Sequence, residues 1–146
     1  EATQSDAKKV GIKINLKNVD YNVLDGIGVR GEYDLLISNI LTEQAGDPEV
    51  FVNQYWKTNV DGSNPQNGSG YSNPEYDALS DQLASEFDPA KRRDIIIKME
   101  KIVQDDAAAL IFGYPQTNMV SNKSVQNANI YPCDYYWVTK DITPAK

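Results

Sequence analysis

Twice within residues 69–115 the chain spells out a helix start: Asn73-Pro74 and Asp88-Pro89. An Asn or Asp side chain accepts from the free N–H groups of a first helical turn, and Pro just inside the start gives up an N–H that has no partner there. After the first signal Tyr76, Leu79 and Leu83 recur on one helical face. After the second, Ile95, Ile96, Met99, Ile102 and Val103 form a wider stripe. The spacing predicts two amphipathic helices that bury these stripes. Past Asp105-Asp106 the apolar run 107–112 is too short for a further helix, and the expectation there is a buried strand. With 146 residues the chain has room for one core, or one core and an appendage.

Charge and composition exclude several classes of chemistry. A net charge of −7 repels the phosphates of nucleic acid, so no nucleic-acid partner is expected. The chain contains no His, which removes Ser-His and Cys-His nucleophile activation, the commonest metal ligand and the usual base near neutral pH. Catalysis here would have to run on carboxylates, Lys or Tyr. Cys133 stands alone, so no internal disulfide forms. No apolar run approaches the roughly 18 residues of a membrane span, and residues 1–9 are polar with no signal-peptide core. Neither a metal nor a cofactor is expected.

The remaining stretches supply further elements. Residues 2–10 read as a helix that closes at Gly11, after which Ile12, Ile14 and Leu16 alternate with polar residues as a strand. Gly26, Gly28 and Gly31 form a GxGxxG string. A dinucleotide site needs those glycines to follow a strand and open a helix; here they lead into the strand-like 33–39, and a nucleotide site is rejected. Asp47-Pro48 is a third helix start, ahead of Phe51, Val52, Tyr55 and Trp56. Residues 58–73 are rich in Asn, Gly, Ser and Pro and read as a loop, long enough to suggest a functional role. A calcium loop there fails, since Asn64 stands where Gly is required and Gly70 where a bidentate Glu belongs. Asn67-Gly68-Ser69 and Asn122-Lys123-Ser124 are glycosylation sequons by pattern only.

The string Gly70-Tyr71-Ser72-Asn73-Pro74-Glu75-Tyr76-Asp77-Ala78-Leu79, with the helix and strand signals after it, resembles the extracellular solute-binding proteins of peptide/nickel-type ABC importers. KKVGIKINLKNVD at 8–20 resembles the family's helix-to-strand element, and Gly31-Glu32-Tyr33-Asp34-Leu35 its entry to a central strand. The resemblance implies an α/β fold: one lobe of a type II periplasmic-binding-protein-like architecture, a mixed sheet flanked by helices. It implies a partial second lobe at 1–120, then a hinge-return segment and an aromatic C-terminal tail at 121–146. It further implies a C-terminal piece of a longer, extracellular or periplasmic protein, anchored as a lipoprotein. The implied partners are a small solute or oligopeptide, the transporter permease and the missing N-terminal lobe.

The same resemblance places the end of the 33–39 strand and the loop after it on the ligand cleft, making Asn39, Leu41, Thr42, Glu43 and Gln44 candidate solute contacts. Peptide-binding members carry an aromatic residue early in that loop, and an Asp shortly before the Asp-Pro pair that meets the peptide ammonium. Leu41 and Gln44 stand at those positions here, with Glu43 beside them. Asn67 and Tyr71 fall at the cleft edge, and Tyr114 with Gln116 in the segment that crosses the hinge. The aromatics of the tail are expected to fold against the lobe or to meet a protein partner. Two other functions remain open: a carboxylate hydrolase such as a glycosidase using Glu43 and Asp47, and a sensor or adhesion domain of the same fold.

Overall fold

The computed structural model describes residues 1–40, 47–114, 116, 118–131 and 138–145. In chain order its elements are α1 (Ala2–Lys9), α2 (Tyr21–Arg30), α3 (Glu49–Trp56), α4 (Pro74–Ser85), α5 (Pro89–Asp105), β1 (Val125–Gln126) and β2 (Thr143–Pro144). Both helix starts in the central stretch are capped as the sequence requires. The Asn73 side chain accepts from the N–H groups of Glu75 and Tyr76 at 2.9 and 3.2 Å, and Asp88 accepts from Lys91 at 2.9 Å. Such a cap contributes about 1 kcal/mol.

The two stripes face each other and take α3 as the third wall. Val52, Tyr76, Leu83, Ile95, Ile96, Met99 and Val103 form the core, with Leu79 and Ile102 packed at its margin. Polar atoms inside it are paired. The Tyr76 hydroxyl donates to the Val52 carbonyl at 2.7 Å, and Ser80 Oγ donates to Asn53 Oδ1 at 2.8 Å. These two bonds tie α3 to α4 at a set height, which apolar contact alone does not do. Beside the core, Phe51 and Trp56 pack against it and meet edge-on with ring centroids 5.0 Å apart.

Arg92 closes the other end of this unit. Its guanidinium donates to the carbonyls of Leu83 and Glu86 at 2.9 and 2.7 Å, capping the end of α4. It also reaches Asp47 Oδ2 and Glu49 Oε2, each at 2.8 Å. Asp47 Oδ1 accepts from the Glu49 N–H at 2.9 Å, so the third Asp-Pro start does open a helix, one residue later than the sequence suggests.

Strands are where the structure departs from the sequence reading. Among the described residues, 12–16, 33–39 and 107–112 form no ladder. The ladder that is present pairs β1 with β2 antiparallel, Val125 opposite Pro144 and Gln126 opposite Thr143. The run 107–112, expected to be a buried strand, is only partly covered: Ala108 and Ala109 rest half-buried against the core, and Leu110 is 75% exposed. Leu35, in the expected central strand, is 73% exposed. The mixed sheet is therefore not seen among the described residues. The physical reason is that a helix satisfies its own backbone and needs one covered face, whereas a strand needs a neighbour for its N–H and C=O groups and a layer over its side chains. The three helices cover one another, and beyond Ala108 and Ala109 the described part of the chain leaves most of these apolar residues exposed.

Glycine closes two helices, the first of them as the sequence predicts. Gly11 (φ +84°) ends α1, its N–H donating to Lys8 O and that of Ile12 to Ala7 O. Gly31 (φ +64°) ends α2 in the same way, with the Glu32 N–H reaching Ile27 O at 3.2 Å. After α5 the left-handed position falls on Ala107 (φ +52°), at a cost of roughly 1–2 kcal/mol. The predicted loop residues Leu41, Thr42, Glu43 and Gln44, together with Cys133, Tyr135, Tyr136 and Trp137, lie outside the described residues.

Candidate functional site

The loop 58–73 leaves α3 and returns to α4, and its own side chains hold it in shape. Asn64 Nδ2 donates to the carbonyls of Asn53 and Lys57 at 2.9 and 2.7 Å. Asn67 Nδ2 donates to Lys57 O and Tyr71 O at 3.0 and 2.8 Å, and its Oδ1 accepts from Ser69 Oγ at 2.8 Å. The Thr58 N–H donates to Asp77 Oδ1 on α4 at 2.9 Å. Two asparagine amides bracketing one carbonyl replace the secondary structure that the loop lacks.

This places the predicted contact residues individually. Asn67 is 3% exposed, with both ends of its amide engaged inside the loop. Buried in this way, its sequon offers no accessible glycan acceptor. Tyr71 is half-buried; its ring packs edge-on against Tyr76 and its hydroxyl donates to Asp106 Oδ2 at 2.5 Å. Asn73 Nδ2 reaches the same carboxylate oxygen at 2.8 Å. Asn39, Tyr114 and Gln116 are exposed, Tyr114 to 82%. Tyr71 is thus next to the place where the chain leaves α5 for the run 107–114.

The Tyr71–Asp106 contact makes stability depend on pH. Burial, reinforced by the hydrogen bond to Asp106 and its charge, pushes the Tyr71 phenol from its ordinary 10 up to about 12. The phenol and Asn73 amide, against some desolvation, hold the Asp106 carboxyl below its usual range. A phenol whose pKa is higher folded than unfolded stabilises the fold fully below about pH 10 and loses that contribution as pH rises through about 12. Tyr71→Phe should therefore flatten the alkaline fall in melting temperature, measured by circular dichroism, without abolishing it. Tyr76, raised above its ordinary value chiefly by burial, still titrates.

An open groove runs between α3 and the loop, lined by Asn53, Gln54, Lys57, Thr58, Ser63 and Asn64. Of the predicted contact residues that are described, Asn39, Asn67, Tyr71 and Tyr114, none lines it. Lys57 Nζ lies 2.7 Å from Asp81 at its edge. Asp47, the carboxylate considered for hydrolysis, is committed to other work. The Glu49 N–H and Arg92 together, working against desolvation, lower its pKa, which suits a cap and an ion-pair partner and opposes a proton donor. Among the described residues no group of three or more His, Cys, Asp or Glu side chains is arranged to hold a metal ion.

Sequence reasoning missed Arg92 and Asn64 as organisers. The position of Arg92 in the first turn of α5 was legible, but its four acceptors come from two other stretches of chain, 47–49 and 83–86.

Known proteins resembling the chain are binding proteins. It is 32% identical over 126 residues to the probable D,D-dipeptide-binding periplasmic protein DdpA of Escherichia coli (strain K12), an alignment over 86% of this chain and 24% of that protein. It is 29% identical over 138 residues to the nickel-binding protein NikA of Staphylococcus aureus (strain NCTC 8325 / PS 47), covering 94% of this chain and 27% of that protein. The crystal structure of the ABC transporter substrate-binding protein CtaP from Listeria monocytogenes superposes with a TM-score of 0.60 at 27% identity, over 73% of this chain and 21% of that one. No family model matches the chain. The chain spans about a quarter of the length of the curated relatives, and none of the three is named for a reaction.

Proposed function

As a member of the family of solute-binding proteins of peptide/nickel-type ABC importers, this chain, we propose, forms one side of a ligand cleft that captures an oligopeptide. No bond is made or broken. Affinity comes from two lobes closing over the solute, and the closed form is what the permease recognises. In this reading residues 1–120 belong to the second lobe, and 121–146 return across the hinge and end in the aromatic tail. Further strands of a mixed sheet cover the apolar runs 33–40 and 107–114. The protein works outside the cytoplasmic membrane, held there by a lipid anchor.

The observation that carries the reading is the match over 86% of the chain to a relative named for binding a dipeptide. A peptide is preferred to nickel because the chain brings no His and no acidic metal cluster among its described residues. The proposed contacts are Asn39, Leu41, Thr42, Glu43, Gln44, Tyr71 and Tyr114, with Asn67 acting through the shape of its loop. Glu43 takes the peptide ammonium in place of the family's Asp, since Gln44 carries no charge.

Isothermal titration of the 146-residue chain with a panel of di- and tripeptides tests the two-lobe mechanism. The expected result is no binding tighter than about 1 mM, because half of the contacts are missing. Micromolar binding by this chain alone contradicts it. Deleting the gene should abolish uptake of a subset of peptides. Unchanged uptake, with loss of aryl-glycoside hydrolysis, would favour the hydrolase instead.

A further inference from the structure

We infer that Gly31 and Gly68 form a main-chain joint, seated on the Gly28 carbonyl, that positions residues 32–40 against the loop 58–73 and through it against the three-helix core. The last turn of α2 and the loop meet backbone to backbone. A Cβ on Gly68 would overlap the Gly28 carbonyl oxygen and lie 2.7 Å from its carbon and 3.1 Å from that of Val29. A Cβ on Gly31 would overlap the Gly68 carbonyl oxygen, and Gly31 is in addition left-handed. These are main-chain obstacles that cannot swing aside.

The other two glycines of the string are not needed for space. A Cβ on Gly28 would meet Leu36 Cδ2 at 3.4 Å, an ordinary contact, and one on Gly26 only the movable tip of Arg30 at 2.9 Å. The GxGxxG string therefore divides into two permissive glycines and one obligatory one, whose partner, Gly68, lies far along the chain. A phosphate-cradling fingerprint has no reason to divide in this way.

Both sides of the joint are stiff. Gly31 terminates a helix, and Gly68 follows Asn67, whose amide is bonded to Lys57 and Tyr71. Since the loop is tied to α3 through Asn64 and to α4 through Thr58, the joint passes their position on to the segment leaving α2. That this segment contacts a solute rests on the function proposed above; that the joint positions it does not.

The test is a spin-label distance between Asp34→Cys and Ala78→Cys in a Cys133→Ser background, with amide exchange measured in parallel. A narrow distance distribution is expected in the parent and with Gly26→Ala or Gly28→Ala. Gly68→Ala and Gly31→Asn should lose it while α4 and α5 keep their exchange protection. Asn tolerates the left-handed region, so Gly31→Asn isolates the collision from the backbone strain. A distribution that stays narrow in both variants overturns the proposal. Equal broadening by Gly28→Ala also overturns it, as does general loss of protection in Gly68→Ala, which would make the contact part of the core. A failed peptide titration would leave these outcomes unchanged.

Discussion

Leu83→Ala should lower the unfolding free energy by about 2–5 kcal/mol. Leu83 is fully buried in the core that α3, α4 and α5 share. Urea denaturation followed by circular dichroism measures the shift in midpoint. Leu110→Ala is the matched control: at 75% exposure it should change stability by no more than about 0.5 kcal/mol. Equal losses at the two positions would mean that the run 107–112 is packed after all, as the sequence alone suggests. A small loss at both would mean that the three helices do not form the core.

Arg92→Met ranks second, with a fall in urea midpoint roughly half or more of that for Leu83→Ala. Methionine keeps the aliphatic stem but leaves the Leu83 and Glu86 carbonyls and the Asp47 and Glu49 carboxylates without their shared donor. The hydrogen bonds to Glu49 and Asp47 also raise the guanidinium pKa, so the charge persists wherever the protein is folded. Arg92→Lys should recover little, because a point charge cannot bond a helix end and two carboxylates at once. Recovery by Lys would show that net charge matters here and the planar fork does not. Amide exchange should locate the damage at the start of α3 and the end of α4. If protection is lost only near the substituted residue, Arg92 is a local cap and does not hold the unit together.

How much was legible from the sequence depended on range. The starts of α4 and α5, the stripes from Tyr76 to Val103 and the glycine end of α1 all depend on residues within one or two helical turns. A capping oxygen and the N–H groups it serves are covalent near-neighbours, so a sequence pattern suffices to find them. Family membership was legible for a related reason: the string from Gly70 to Leu79 combines a loop exit, a cap and the first core residue of α4 in one place.

The exposed runs differ from the sequence expectation because apolar composition states a need for burial, not a partner that meets it. Val103 and Leu110 look equally fit for a core, yet Val103 is buried and Leu110 is not. The candidate contacts divided along the same line. By resemblance Asn67 falls at the cleft edge, and only the fold reveals that Lys57 and Tyr71 occupy its amide.

From its residue order alone, then, this chain settles α4 and α5, their caps, the faces those helices bury and the family to which it belongs, because each is written in short-range spacing. Tertiary structure alone decided that α3 completes the core, that Arg92 unites three stretches, and that two distant glycines must touch. Those outcomes depend on which surfaces meet in space, and spacing along a chain carries no record of that.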